Sequence, residues 1–224
     1  MAYFTGPNIV TDGLVFAYDA ASERCYPGSG TAATNITSQA IPGTLTNGVT
    51  FSTNNAGTWG FDGVDQYIST VSKSYSFSSG GTVEQFIKPT AINRTQGFFN
   101  LGDGNSYINF WMSTNNLMRW EIIGNIGSAY ATINATTAVE VGKYYHFVGV
   151  FDGSTTTIYV NGVAETTQTM SNQPSSVTSR VEIGRYNASY PSASEIAVTR
   201  FYSQPLTAAQ VLQNFNAQKS RFGL

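Results

Sequence analysis

Charge is scarce in this chain. Only 11% of its 224 residues are Asp, Glu, Lys or Arg, against roughly a quarter in typical soluble domains. Solubility therefore falls to Ser, Thr, Asn, Gln and Gly, which suit the turns and open face of a sheet protein. The formal net charge is −2 and no Lys/Arg cluster stands out, which leaves no basic patch for nucleic acid. A single cysteine, Cys25, excludes an intrachain disulfide, and a single histidine, His146, excludes the usual Cys/His zinc sites. No apolar run approaches the roughly 20 residues that a membrane span needs, so membrane insertion is not expected. The opening Met1-Ala-Tyr-Phe-Thr-Gly-Pro7 lacks a basic start followed by an apolar run, so it does not read as a secretory signal. The expectation is a product made in a cytoplasm which, if it works outside a cell, leaves by a route other than secretion, such as assembly into a particle. No repeat and no linker divide the chain, and one domain over 1–224 is expected.

What is present is extended structure. Tyr144 to Phe151 and Thr157 to Val160 are rich in β-branched and aromatic residues, and each run is closed by a turn dipeptide, Asp152-Gly153 and Asn161-Gly162. The Asn-Gly pair is the sharper signal, because a two-residue loop there sets Val160 opposite Val163. Further strands are expected at Gly13–Asp19, on both sides of Asp62-Gly63, over Thr82–Lys88 up to Pro89, around Phe98–Leu101, at Val181–Arg185 and at Glu195–Tyr202. Ala20–Gly43, most of Thr166–Ser179 and Asn187–Ser194 read as loop. Near the end, Thr207 and Gln210 make a capping box and Leu206 with Val211 a hydrophobic staple. A short helix should follow, reaching about Gln218, with Leu212 and Phe215 on its apolar side.

Tyr107 to Ile123 carries the closest reading. Period-two alternation puts Ile108, Phe110 and Met112 on one face and Tyr107, Asn109 and Trp111 on the other. After Ser113-Thr114-Asn115-Asn116, the residues Met118, Trp120 and Ile122 form an apolar set, with Arg119 and Glu121 facing away. One register satisfies both: Met112 opposite Met118, Phe110 opposite Trp120, Trp111 opposite Arg119. A slip of one residue would put Phe110 against Arg119 and turn a charge toward the core. The expectation is a cation–π contact between Arg119 and Trp111 on the face away from the core.

Several of these stretches are similar to one family. The strand ending Asp152-Gly153, the following Tyr159-Val160-Asn161-Gly162, the opening Gly13-Leu14-Val15 with Asp19-Ala20-Ala21, and Phe61-Asp62-Gly63 with Tyr67-Ile68 resemble laminin-G-like, concanavalin-type jelly rolls. Gln66 stands where that pattern often has a second acid. Ile196, Arg200 and Tyr202 followed by Pro205-Leu206-Thr207 and Val211 are similar to the family's last strand and helix. The resemblance runs from Leu14 to about Phe215 and implies an all-β, two-sheet antiparallel jelly-roll sandwich with one short C-terminal helix. Asn214 to Leu224 resembles the endings of laminin-G-like structural proteins of tailed phages, particularly marine cyanobacterial ones.

The chemistry open to such a fold narrows quickly. Resembling glucanases carry Glu-x-Asp-x-x-Glu, and retaining hydrolysis needs two carboxylates about 5 Å apart. No expected strand here bears two acids at i, i+2 or i, i+4, so no enzyme and no catalytic residue is expected. His146 lies roughly 20 Å from Asp152 along one strand and reads as a hydrogen-bonded sheet residue. Related lectin-like domains often hold calcium; the best oxygen donors are Asp103 with Asn105, or Asp62 with Asp65, all of them also ordinary turn formers. Tyr107, Asn109, Trp111, Arg119 and Glu121 supply the aromatic and hydrogen-bonding mix that sugar binding needs. The same face would equally suit cover by a loop or a neighbouring subunit. Two functions follow: a non-enzymatic phage virion component, either a capsid decoration or a tail-fibre adhesin, or a lectin module outside any virion. Expected partners are other virion proteins, further copies of this chain and a host-surface glycan.

Overall fold

The computed structural model describes residues 7–39, 41–102, 106–123, 130–170, 174–186 and 188–224. In chain order the strands begin with β1 (Leu14–Asp19), β2 (Ala32–Thr34), β3 (Pro42–Thr46), β4 (Thr50–Ser52), β5 (Thr58–Asp62), β6 (Tyr67–Thr70) and β7 (Lys73–Ser76). Next come β8 (Gly81–Pro89), β9 (Gln96–Gly102), β10 (Tyr107–Met112), β11 (Leu117–Ile123), β12 (Tyr130–Ala138), β13 (Tyr145–Phe151) and β14 (Thr155–Val160). The last are β15 (Val163–Thr169), β16 (Ser176–Ser179), β17 (Val181–Ile183), β18 (Arg185–Tyr186), β19 (Tyr190–Pro191) and β20 (Ala193–Tyr202), before helix α1 (Ala208–Phe222).

Two large antiparallel sheets face each other. The first runs β15-β14-β13-β8-β20-β5-β4, with β1 also on β20; the second runs β12-β11-β10-β9-β17-β6-β3-β2. Together with the C-terminal helix, this is the jelly-roll sandwich expected from the sequence. The turn at Asn161-Gly162 does set Val160 opposite Val163.

Between the sheets, Trp59, Phe110, Trp120, Phe147 and Phe201 are fully buried. Trp120 occupies space that a side chain at position 149 would need: a Cβ on Gly149 would come within 2.2 Å of its indole. A glycine at the centre of β13 is thus required by the ring facing it. The indole N–H of Trp120 donates to Thr156 Oγ1 at 2.8 Å, whereas that of the equally buried Trp59 has no hydrogen-bond partner.

The outer face of the first sheet is covered by α1. Thr207 and Gln210 form the expected capping box, and Leu206 and Val211 are both buried. The helix runs on to Phe222, four residues past Gln218, and ends at left-handed Gly223 (φ 70°). Its buried side carries Val211, Asn214 and Phe222, whereas Leu212 is 45% exposed. The expectation for Leu212 was therefore misplaced: the polar Asn214 is drawn inward by partners on the sheet.

Other segments also differ from the sequence reading. Ala20–Gly43 contains β2 and the start of β3, Thr166–Ser179 contains most of β15 and all of β16, and Asn187–Ser194 contains β19. The strands either side of Asp62-Gly63 do not pair with each other: β5 joins the first sheet through β20 and β4, and β6 joins the second through β3 and β17. Asp103 and Asn105 lie outside the described residues.

Candidate functional site

Strands β10 and β11 adopt the register the sequence predicts, with Met112 opposite Met118, Phe110 opposite Trp120, Trp111 opposite Arg119 and Asn109 opposite Glu121. Ile108, Phe110 and Met112 point into the core and are fully buried, so the alternate residues lie on the outer face of the second sheet. The Arg119 guanidinium carbon sits 4.6 Å from the Trp111 ring centroid, the expected cation–π pair.

That face is one continuous polar row. Pairing places Thr44, Ser69, Glu182, Asn100, Asn109, Glu121 and Thr132 side by side across seven strands. Within the row Glu182 is well partnered, accepting from Arg185 Nη2 at 2.5 Å and Asn100 Nδ2 at 3.3 Å. Glu121 is not. Its Oε1 accepts from the Thr132 hydroxyl at 3.0 Å, and its Oε2 has no hydrogen-bond partner although the residue is 9% exposed. Asn109 is fully buried, yet neither its Oδ1 nor its Nδ2 is hydrogen-bonded. Buried polar groups are nearly always paired, and each exception calls for an explanation.

The burial comes from a hairpin whose second strand lies within Asn187–Ser194, a segment expected to be loop. The β18–β19 hairpin folds back over the row and lays Tyr186 parallel to Trp111, with centroids 5.9 Å apart and planes 8° apart. Tyr190 stacks behind Tyr186 at 5.8 Å, and Tyr107 is tilted against Tyr186 at 6.5 Å. Gly97 in β9 permits this approach, since a Cβ there would come within 2.2 Å of the Tyr186 backbone nitrogen. Arg185 anchors the root of the hairpin, its guanidinium carbon 3.3 Å from the Tyr67 ring centroid. Burial raises the Tyr186 phenol above its ordinary pKa, and the negative charge of nearby Glu121 and the contact with Tyr107 push it the same way. All five residues picked from the sequence, Tyr107, Asn109, Trp111, Arg119 and Glu121, therefore meet on one face, with Asn109 and Glu121 buried and Tyr107, Trp111 and Arg119 half-buried beside the Tyr186 ring.

A second polar cluster lies under α1 on the other sheet. Arg200 Nη1 donates to Glu84 Oε1 at 2.7 Å, and Asn214 Nδ2 donates to Glu84 Oε2 at 2.7 Å. His146 Nε2 is 3.3 Å from Glu84 Oε1 without hydrogen-bond alignment, and the imidazole is stacked between Phe86 and Phe215 at 4.4 and 5.8 Å. Desolvation alone would raise the Glu84 carboxyl, but Arg200, His146 and Asn214 outweigh it and lower the pKa to about 2. His146 thus meets Glu84 rather than Asp152, neither ring nitrogen makes the hydrogen bond expected of it, and it has no exposed surface from which to reach a substrate. A structural role follows.

Metal chemistry finds little to build on. Asp62 spends Oδ1 on the backbone N–H of Val64 at 2.9 Å, a turn contact. Among the described residues no three His, Cys, Asp or Glu side chains come together as a metal site, short of the several oxygens and paired carboxylates usual for calcium.

Two facing antiparallel sheets with a roofed polar row on one outer face make this a lectin-like sandwich of concanavalin A type. The chain belongs to the Laminin_G_3 family of the Concanavalin A-like lectin/glucanases superfamily, whose model matches residues 62–212. No curated protein shows a significant sequence match. Among solved structures, the binding domain of botulinum neurotoxin serotype G superposes with a TM-score of 0.73 at 12% identity, over 92% of this chain and 51% of that one. The binding domain of Paraclostridial Mosquitocidal Protein 1 gives a TM-score of 0.74 at 14% identity, over 92% and 52%. Trypanosoma rangeli sialidase, solved with a difluoro-KDN ligand, gives 0.68 at 14% identity, over 95% and 34%. The chain spans about half the length of the toxin chains and about a third of the sialidase chain.

Proposed function

We propose that this chain is a non-enzymatic glycan-recognising module, carried on a phage particle as a capsid decoration or tail-fibre adhesin. The observation behind recognition is the set of unpartnered buried polar atoms on Asn109 and Glu121 beside the Trp111 and Tyr186 rings. Aromatic faces next to fixed donors and acceptors are what a sugar ring requires. Asn109 has no exposed surface, so a ligand engages it when the Tyr186 ring swings off the row.

Hydrolysis is not favoured by the geometry of this face. Glu121 and Glu182 are the two carboxylates of the row, three strand spacings apart. At about 4.8 Å per spacing that is roughly 14 Å, well outside the roughly 5–9.5 Å at which glycosidase pairs work. Similarity to the binding domains of the two toxins supports the same reading.

The particle assignment rests on the charge-poor composition and on the resemblance of Asn214–Leu224 to endings of tailed-phage structural proteins. Its partners there are other virion proteins and further copies of this chain. A glycan array with wild type and Trp111→Ala tests recognition: binding that appears and then drops at least tenfold in the variant supports it, and an empty array refutes it. Mass spectrometry of purified particles tests location. Fixed stoichiometry supports the virion assignment, and absence from particles leaves a free lectin module.

A further inference from the structure

The vacant bonding capacity in the row is of both kinds. Asn109 Oδ1 and Glu121 Oε2 can only accept, while Asn109 Nδ2 can only donate. A hydroxyl group does both. Two neighbouring hydroxyls can therefore meet the amide and the carboxylate together, one donating to Glu121 while the other accepts from Asn109. A carboxylate or sulfate ester on a ligand only accepts. It could satisfy the Asn109 N–H and the Trp111 Nε1 and Arg119 Nε donors, which are likewise unpartnered, but it would leave Asn109 Oδ1 and Glu121 Oε2 facing another acceptor.

Charge points the same way. Glu182 is neutralised by Arg185, whereas the only hydrogen-bond partner of Glu121 among the described residues is the neutral Thr132 hydroxyl. Arg119, two positions earlier on the same strand, holds its guanidinium over Trp111 rather than on Glu121. A mostly desolvated carboxylate without a counter-charge repels an incoming anion far more strongly than an exposed one does, because little solvent screens it.

We infer that the site takes neutral, hydroxyl-rich sugars and rejects acidic ones, with Glu121 as the residue that sets this discrimination. The inference rests on the glycan-recognising function proposed above and names its ligand class.

The test is affinity electrophoresis through gels containing a neutral polysaccharide (β-glucan, mannan or galactan) or an acidic one (polygalacturonate or alginate). The intact chain should be retarded by at least one neutral polymer and bind the acidic ones at least tenfold more weakly. Glu121→Gln, which keeps the shape and removes the charge, should bring the two classes to within about threefold. Acidic polymers bound as tightly as neutral ones by wild type would overturn the selectivity while leaving glycan recognition standing, and this comparison needs no variant to fold. A neutral-to-acidic ratio unchanged in folded Glu121→Gln would remove Glu121 from the role. Retardation by no polymer would overturn both the inference and the function on which it rests.

Discussion

Replacing Asn109 with leucine should make this protein more stable. Asn109 sits at the centre of the polar row with no exposed surface and no hydrogen bond to either amide atom. Leaving a buried donor or acceptor unpaired costs about 1–3 kcal/mol, and an apolar side chain of the same shape relieves that cost. Leucine has the branching and heavy-atom number of asparagine and is somewhat bulkier, so it leaves no cavity, and overpacking sets the gain toward the lower part of that range. For a chain of this length each kcal/mol moves the melting temperature by about 2–4 °C, giving a rise between about 2 and about 12 °C. Thermal melts followed by circular dichroism measure it directly. Urea titrations should show a higher midpoint with an unchanged m-value, which excludes a change in the unfolded state. The variant should at the same time lose affinity for any glycan that the wild type binds. A melting temperature lowered by 2 °C or more would refute the reasoning, because it would mean that the amide is bonded in solution and contributes to the fold instead of waiting for a ligand.

Two further outcomes follow from the geometry. Glu84 has a folded-state pKa held at about 2, below the ordinary carboxylate value, so the stability it confers is complete above about pH 4.5 and is lost as the pH falls toward 2. A melting temperature steady from pH 7 to 5 and falling below is expected; Glu84→Gln should flatten that fall while costing up to about 3–5 kcal/mol at neutral pH, since buried Arg200 keeps only Asp19, 3.9 Å away, as a counter-charge. Gly97→Ala should lift the β18–β19 hairpin, since its Cβ would collide with the Tyr186 backbone. Red-shifted tryptophan fluorescence from an uncovered Trp111 would report it, at a cost of about 1–3 kcal/mol.

The β10–β11 pair was legible from sequence because both strands carry an apolar face and a polar face, and only one register keeps Arg119 and Glu121 out of the core. The capping box at Thr207 was legible because it is a local bond pattern. Period-two alternation says which side of a strand is buried but not which sheet the strand joins, and so β5 and β6 gave no sign that they part company. In β8 the signal fades further, since Thr82 to Ile87 are all buried, inward-facing residues by the opposite sheet and outward-facing ones by α1. Glu84, His146, Arg200 and Asn214 come from four elements and meet only in three dimensions. The hairpin over Trp111 was missed for a simpler reason. Arg185–Tyr186 and Tyr190–Pro191 are two-residue strands, too short to show any period. What could have hinted at it is the glycine at 97 opposite Trp111, a gap in an otherwise bulky strand.

One bond made by α1 bears on how the chain reaches this shape. Asn214 Oδ1 accepts from the backbone N–H of Val10 at 2.8 Å, linking positions 204 residues apart, and the same amide caps Glu84. Sheets assembled from such distant segments form slowly, since the ordering entropy is lost before the contacts return it. During synthesis Glu84, Arg200 and His146 remain without their cover until Asn214 has left the ribosome. Because β20 (Ala193–Tyr202) is the strand that joins β8 to β5, this sheet cannot close before the segment carrying Arg200 emerges, and the helix that seals its outer face follows directly.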